Sequence, residues 1–201
     1  MFYIVGGGGH GSDVADLALR CGSTPTGIAD DRSVDPRRFA DRGIPVVGPI
    51  PDLPRDGTFT FGVGTPDVRQ KLGPRVPCGP APALVDPSAM VSPTASLGPG
   101  TQVFWHASVG PLCRLGDHVL VSYGATIGHD CTLGDTTCVL PGAHVAGDVW
   151  IEDGALIGVG AIIAQGVRIG EGARIGDGAV VTRPVAPGEE VPSPHVRPLH
   201  R

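Results

Sequence analysis

The chain of 201 residues is 41% hydrophobic but only 4% aromatic, so it can fold into one medium domain or two small ones whose cores contain few rings. Its formal net charge is -5 and only 17% of its residues are charged, which excludes a protein that binds nucleic acid through a basic face. Five cysteines without a CxxC pair indicate neither a disulfide framework nor a zinc knuckle.

No targeting or membrane segment is predicted. No apolar run reaches the ~18 residues that a membrane-spanning helix needs. The start of the chain, MFYIVG, lacks the basic region of a signal peptide. We therefore expect a cytoplasmic protein that has neither a membrane nor a nucleic acid as a partner.

The first residues predict a strand, a glycine loop and a helix. The apolar first five residues are followed by GGGGHG, which satisfies G-x-G-x-x-G between a strand and a helix. Such a loop lets a pyrophosphate approach the backbone at a helix N-terminus. Ser12 is predicted to cap a helix that ends near Arg20. We therefore assign Gly9, His10 and Gly11 to a nucleotide site.

Two further strands complete this unit. The second predicted strand ends in Asp30 and Asp31, where an acidic side chain meets the ribose or the base in such units. The third, around residues 59–63, runs into Gly64 and another helix. Residues 1–80 are thus predicted to form a half-Rossmann-like α/β domain, with both aspartates and Gly64 in its nucleotide site.

After a Pro-rich linker over residues 73–82, the chain repeats with a period of six. From Val85 to Val181 every sixth residue is Val, Leu or Ile, and the residue four places after each is small or β-branched. This period is typical of a parallel β-helix, in which each hexapeptide is one short strand and a corner and three hexapeptides make a triangular coil. Residues 83–190 are therefore predicted to form a prism, and residues 191–201 a C-terminal tail.

The hexapeptide repeat resembles that of the left-handed β-helix acyltransferases, and the resemblance implies a left-handed coil. Preceded by a G-x-G-H-G loop, the repeat resembles the bacterial sugar O- and N-acetyltransferases. The match is sharpest over ATIGHDCTLGD at residues 125–135 and PGAHVAG at residues 141–147. The family includes enzymes that acetylate nucleotide-linked 4-amino-4,6-dideoxysugars, and it includes proteins similar to sialic-acid O-acetyltransferases.

The resemblance implies an acetyl-CoA-dependent N-acetyltransferase that acts on the amino group of a nucleotide-activated amino sugar of the 4-amino-4,6-dideoxyhexose type. It implies that His129 is the general base and that Asp130 raises its basicity. It also implies a homotrimer, no metal, and an acetyl-CoA groove that includes Cys138, Val159 and Asp177.

The repeat itself predicts which residues surround His129. Counting 18 residues onward places Gly147 directly above it, and Gln165 and Arg183 follow in the same column. A glycine there leaves open backbone for the pantetheine arm of acetyl-CoA, and an amide N–H for a developing oxyanion. Cys131 takes an inward small position and is interpreted as a core residue.

Other functions stay open at this point. The pattern also fits a sugar O-acetyltransferase of the sialic-acid type, or a catalytically inactive prism that serves as a scaffold or binds a nucleotide. A zinc enzyme of the γ-carbonic anhydrase type needs a second histidine five residues after the first, where Gly134 follows His129. Three departures from the family pattern leave the sugar undetermined: Ser122-Tyr123-Gly124 where an asparagine is common, Cys138 in place of a histidine, and an altered closing motif at residues 192–197. The nucleotide base and the glycan pathway are also undetermined.

Overall fold

The computed structural model describes residues 1–194, and the end of the predicted tail, with His195 and His200, lies outside the described residues. The first 80 residues form a parallel sheet in the order β3-β2-β1-β4-β5 with three helices. No helix within the described range is long and apolar enough to cross a membrane. The strands are β1 (Phe2–Val5), β2 (Gly27–Ala29), β3 (Val46–Gly48), β4 (Thr58–Phe61) and β5 (Gly79–Pro80). The helices are α1 (Gly9–Arg20), α2 (Arg37–Ala40) and α3 (Pro66–Leu72), with short 3-10 turns at Ile50–Asp52 and Gly73–Arg75.

The crevice of this sheet lies between β1 and β4. From β1 the chain continues to β2 and β3 on one side, and from β4 to β5 on the other, so the strand order reverses at this pair. The loops after β1 and β4 leave the same carboxyl edge, which is where open parallel sheets bind ligands. The predicted half-Rossmann-like domain is therefore confirmed, and β3 and β5 are additional strands.

Helix α1 begins earlier than the sequence predicts. Its N-cap is Gly8 rather than Ser12, and its first turn contains no acidic residue. Tertiary packing sets this start, because Gly11 lies so close to the carbonyl oxygen of Gly6 that a Cβ would collide with it. Part of the predicted linker also joins the sheet. There β5 pairs with β4 at an edge, where Pro80 is tolerated although it lacks an N–H.

Residues 84–191 form the predicted triangular prism. Each strand has two residues, and the second residue of the first 17 strands is the predicted aliphatic position. Paired strands are parallel and one coil apart, as in the pairing of Ile127 with Val145. The strands are β6 (Leu84–Val85), β7 (Met90–Val91), β8 (Ser96–Leu97), β9 (Gln102–Val103), β10 (Ser108–Val109), β11 (Arg114–Leu115), β12 (Leu120–Val121), β13 (Thr126–Ile127), β14 (Thr132–Leu133), β15 (Cys138–Val139), β16 (His144–Val145), β17 (Trp150–Ile151), β18 (Leu156–Ile157), β19 (Ile162–Ile163), β20 (Arg168–Ile169), β21 (Arg174–Ile175), β22 (Val180–Val181) and β23 (Glu190–Val191).

The strands stack into three faces. Face 1 consists of β6, β9, β12, β15, β18, β21 and β23, face 2 of β7, β10, β13, β16, β19 and β22, and face 3 of β8, β11, β14, β17 and β20. The chain passes from face 1 to face 2 and then to face 3 in each coil. The corner between faces 2 and 3 therefore lies opposite face 1.

Two ladders of side chains fill the prism. Aliphatic residues such as Ile151 and Ile157, and small residues at the corners such as Ala125 and Ala143, are fully buried in one cluster. Close packing leaves no room for larger side chains at the corners. Cys131 is part of this cluster, in agreement with its interpretation as a core residue.

The N-terminal domain covers face 1. The outward side chains of Leu84, Leu120 and Cys138 are buried in one cluster with residues of β1 and α1. An ion pair between Asp67 of α3 and Arg174 extends the contact toward the C-terminal coils. The domain thus docks away from the corner between faces 2 and 3.

Candidate active site

Close backbone packing shapes the glycine loop. A Cβ on Gly6, Gly11 or Gly62 would collide with atoms of the loops that follow β1 and β4, and Gly6 also has a φ of 113°. These glycines therefore let the two loops press against each other. By contrast, a Cβ on Gly8 or Gly9 would meet no atom within 4 Å. The backbone at the start of α1 is open to a ligand.

Gly11 and Asp30 support this loop from beneath. Gly11 is buried, and the Asp30 side chain is 7% exposed. Asp30 Oδ2 accepts a hydrogen bond from the Gly7 N–H at 2.9 Å, and Oδ1 accepts one from the Arg32 N–H at 2.9 Å. Burial alone would raise the pKa of Asp30, but the Arg32 guanidinium and these two N–H groups together hold it below its usual value. Both residues therefore position the loop, and their direct contact with a nucleotide stays a prediction.

Asp31 lies at the rim of the same crevice. Its Oδ1 accepts a hydrogen bond from the Ile50 N–H at 3.0 Å, and its Oδ2 pairs with Arg75 at 2.6 Å. The side chain is still 30% exposed. A ligand hydroxyl can therefore reach the Asp31 carboxylate, which the buried Asp30 carboxylate does not allow.

His10 lies between the two domains. Its ring is close to Gly64, in the loop after β4, and 5.7 Å from the ring of Phe104 in the prism. Burial and the neighbouring Arg69 guanidinium lower the pKa of His10 to about 4. The imidazole is therefore neutral at neutral pH, with one nitrogen that donates and one that accepts.

Arg69 is a buried residue of this region that the sequence does not predict. Its side chain is 1% exposed and donates hydrogen bonds to the Val63 carbonyl, to the His118 carbonyl at 2.7 Å and to Gln102 Oε1 at 3.0 Å. In the sequence it is one of several charged residues in the short helix α3. That pattern is typical of an exposed helix, so no local signal distinguishes it.

The predicted catalytic pair lies at the corner between faces 2 and 3. His129 Nδ1 is 2.7 Å from Asp130 Oδ2, and about half of each side chain is exposed. Asp130 has a φ of 59°, which aspartate tolerates better than most residues. The carboxylate holds the imidazole proton on Nδ1, so Nε2 carries a lone pair. This geometry suits a general base.

Gly147 lies against the imidazole, as the register predicts. A Cβ on Gly147 would be 2.5 Å from His129 Nε2, so a larger residue displaces the base itself. The Gly147 N–H donates to no backbone or side-chain acceptor among residues 1–194. Glycine at this position thus leaves room for the imidazole and an amide N–H that no protein group among these residues uses.

The two cysteines of this region are buried. Burial raises the pKa of the Cys131 thiol to about 11, which makes it a poor nucleophile. Cys138 is fully buried beneath the N-terminal domain, and burial raises the pKa of its thiol too. The predicted place of Cys138 in an acetyl-CoA groove is wrong, because the domain covers the outward side chains of face 1.

The other residues assigned to acetyl-CoA lie at two corners. Val159 and Asp177 stack at the corner between faces 1 and 2, where Asp177 Oδ1 accepts a hydrogen bond from the Val159 N–H at 2.8 Å. Face 2 separates them from His129 of the same chain. Arg183, at the end of the predicted column, forms an ion pair with Glu189 at 2.9 Å.

The two halves of the site do not meet within one chain. Helix α1 runs beside the corner between faces 1 and 2, where Leu19 and Trp105 line one shallow cavity. His129 occupies the corner between faces 2 and 3, opposite the face on which the domain docks. A nucleotide held by the glycine loop is therefore separated from His129 of the same chain by the prism.

Comparison with known proteins agrees with this architecture. Residues 2–76 match the PglD N-terminal domain, and residues 148–183 match the bacterial transferase hexapeptide with six repeats. No curated protein sequence matches the chain significantly. Among solved structures, the chain is similar to PerB from Caulobacter crescentus in complex with CoA and GDP-perosamine. The identity is 32% over 96% of this chain and 93% of that chain, and the TM-score is 0.86.

Two more solved structures extend the comparison. The acetyltransferase domain of PglB from Neisseria gonorrhoeae is 32% identical over 96% of both chains, with a TM-score of 0.84. WeeI from Acinetobacter baumannii is 25% identical over 96% of both chains, with a TM-score of 0.80. Fold and site together define an acyltransferase built on a left-handed β-helix. More particularly, the chain belongs to the family of hexapeptide-repeat sugar N-acetyltransferases that includes PerB and the PglB acetyltransferase domain.

The neutral state of His10 predicts a loss of stability in weak acid. Its pKa of about 4 in the folded chain lies below the ordinary value of 6.5, so the unfolded chain binds more protons between these two values. The part of the free energy of unfolding that depends on a neutral His10 is fully present above pH 6.5 and is lost as the pH falls toward 4. Urea unfolding at fixed protein concentration should show a loss of about 2 kcal/mol from His10 between pH 7 and pH 5.

The matched control is His10→Gln, which removes the titrating group. The variant should lose less stability than the wild type between the two pH values. An equal loss in both proteins would contradict the assignment to His10.

Proposed function

We propose that the chain is an acetyl-CoA-dependent N-acetyltransferase for a nucleotide-activated amino sugar of the 4-amino-4,6-dideoxyhexose type. The observation that carries the proposal is the His129–Asp130 pair, whose imidazole has room because Gly147 beside it has no side chain. The similar enzyme PerB was crystallised with CoA and GDP-perosamine, and the similar PglB domain with acetyl-CoA. Both complexes support these two classes of substrate for this chain.

His129 acts as the base in a direct transfer. The sugar amine attacks the thioester carbonyl carbon, and as the C–N bond forms Nε2 accepts the proton that the nitrogen loses. The Asp130 carboxylate stabilises the imidazolium on its other nitrogen. The C–S bond of the tetrahedral intermediate then breaks, and the imidazolium returns the proton to the CoA thiolate. The Gly147 N–H is the donor for the oxyanion of that intermediate.

The glycine loop binds the nucleotide. The open backbone of Gly8 and Gly9 at the N-terminus of α1 favours a diphosphate. His10 and Gly64 line the mouth of this crevice, and Asp31 at its rim accepts a hydrogen bond from a ribose hydroxyl.

Face 2 suits a contact between copies of the chain. The outward residues of its strands are Met90, Ser108, Thr126, His144, Ile162 and Val180. The three large apolar ones are 73%, 43% and 62% exposed, in chain order. No acidic residue, lysine or arginine interrupts this column. Aligned apolar side chains of this kind mark an association surface.

A homotrimer completes the site. If three copies turn face 2 toward a common axis, the corner between faces 2 and 3 of each copy meets the corner between faces 1 and 2 of the next. His129 of one copy then lies beside the glycine loop, Val159 and Asp177 of its neighbour. The separation of these residues within one chain supports this arrangement.

The first test replaces the base. His129→Asn should lower kcat by about 100- to 10,000-fold, because the amide cannot accept the proton, and should change KM for either substrate little. Steady-state kinetics with CoA release as the readout measure this. Glu171→Gln, at an exposed position of the corner between faces 3 and 1, is the control and should keep wild-type kcat. Turnover by His129→Asn within threefold of the wild type would contradict the role of His129.

The second test concerns the nucleotide. Gly9→Val fills space that no protein atom occupies, so the fold should be kept while KM for the nucleotide sugar rises by about tenfold or more. KM for acetyl-CoA should change less than twofold. Gly79→Val, at another open glycine, is the control. Direct binding by calorimetry should accompany the kinetics, and unchanged affinity for the nucleotide sugar in Gly9→Val would refute the loop assignment.

The third test concerns the shared site. His129→Asn and Gly9→Val should each be nearly inactive at low nucleotide-sugar concentration. When the two variants are mixed in equal amounts, unfolded and refolded together, each mixed trimer has one interface with both halves intact. Activity should therefore return to about a quarter of the wild-type value. A mixture no more active than its components would show that each chain holds its own complete site.

A further inference from the structure

Arg69 is a buried cation that has no carboxylate partner. Its side chain is 1% exposed. Within residues 1–194 none of the ion pairs includes it. A buried charge without a counter-ion costs free energy. Such a residue is therefore expected to have a task that a neutral side chain cannot perform.

Neutral acceptors fix the position of the guanidinium. It donates to the Val63 carbonyl in the loop after β4, and to the His118 carbonyl and Gln102 Oε1 in the prism. The orientation of the Gln102 amide is settled, because its Nε2 donates to the Phe61 carbonyl at 2.7 Å. These bonds hold one guanidinium edge at a defined place beside the glycine loop.

That edge faces His10. A terminal nitrogen of Arg69 lies 3.4 Å from His10 Nε2. A guanidinium only donates, so the contact is favourable when Nε2 carries the lone pair and Nδ1 carries the proton. Nδ1 lies 3.9 Å from Asp13 Oδ2, and the ring packs against Gly64 in the loop after β4.

We propose that Arg69 is a positioning residue that holds His10 in the tautomer with the proton on Nδ1, so that His10 donates a hydrogen bond to a diphosphate oxygen of the nucleotide sugar. The ligand in this proposal rests on the proposed function above. The tautomer of His10 does not rest on the proposed function, because the contacts that set it are present in the chain without a ligand.

The proposal explains why a buried arginine occupies this position. A neutral imidazole at the mouth of an anion site can present either a donor or a lone pair, and a lone pair would repel a phosphate oxygen. The guanidinium selects the donor, and its charge, which no carboxylate neutralises, adds attraction for the anion. A leucine or methionine of similar size would fill the space without making this selection.

The first experiment determines the tautomer in the ligand-free wild-type protein. Nitrogen-15 spectra of histidine-labelled protein at neutral pH, with the His10 signals assigned by their loss in His10→Asn, should show Nδ1 protonated and Nε2 unprotonated. Gln102 Oε1 also lies near the ring and would accept from Nε2 in the opposite tautomer. A proton on Nε2 would therefore overturn the proposal whatever the substrate is.

The second experiment is a double-mutant cycle. In His10→Asn the amide nitrogen takes the place of Nδ1–H and needs no partner to fix a tautomer. Arg69→Lys should raise the Kd and KM for the nucleotide sugar by about 5- to 50-fold in the wild-type background, with KM for acetyl-CoA changed less than twofold. In the His10→Asn background the same replacement should raise them less than twofold. Arg38→Lys, at an exposed arginine of α2, is the control.

Each outcome of the cycle is decisive. An equal rise in both backgrounds would show that Arg69 only supports the loop, and would overturn the proposal. If wild-type protein binds no nucleotide sugar, the proposed function and the ligand fail together, while the spectra still decide the tautomer.

If Arg69→Lys does not fold, a second variant of His10, His10→Gln, takes its place in the test. The side-chain amide nitrogen of the introduced glutamine would stand at the Nε2 position, which leaves no donor at the Nδ1 position. The His10→Gln protein should therefore bind the nucleotide sugar at least fivefold more weakly than the His10→Asn protein. Equal affinity of the two variants would overturn the proposal.

Discussion

The stacking of one coil on the next is the constraint on which the rest of the structure depends. Each strand pairs in parallel with the strand one coil away, as Thr126 does with His144. Each inward side chain therefore packs on its own equivalent. A slip of one residue in this pairing would turn the inward side chains of the slipped strand outward. The same register places Gly147 against the imidazole of His129, so the geometry of the proposed base follows from the packing of the core.

The prism could be predicted from the sequence because its signal is local and repeated. A period of six specifies which side chains point inward, and it therefore identified the burial of Cys131 and the position of Gly147. It says nothing about what covers the outward positions. Cys138 was misassigned for this reason, since its burial depends on the docking of a domain encoded elsewhere in the chain. Arg69 was missed for the same reason, because its partners Gln102 and His118 lie in the prism.

In the N-terminal domain, tertiary packing overrides the predicted start of α1 and buries the Asp30 side chain. Ser12 followed by an apolar run is a good capping signal, yet α1 starts at Gly9 because the loops after β1 and β4 pack against each other. Asp30 occupies the sequence position of a ribose ligand, but its carboxylate is used by the Gly7 N–H. The G-x-G-x-x-G motif thus predicted the position of the crevice. Burial and hydrogen bonding, which the motif does not specify, determine which of the two carboxylates, Asp30 or Asp31, is exposed there.

The exposure of the proposed catalytic pair connects its chemistry to assembly. His129 and Asp130 are about half exposed in the single chain, and in water such a pair contributes little. Removing water from around it strengthens the interaction of the carboxylate with the imidazolium. In the proposed trimer, the corner between faces 1 and 2 of the neighbouring copy and its docked domain cover His129 and Asp130. The same contact that brings the nucleotide sugar to His129 therefore also excludes water from around it. The two requirements of the transfer, a positioned amine and an effective base, are then met by one contact between copies.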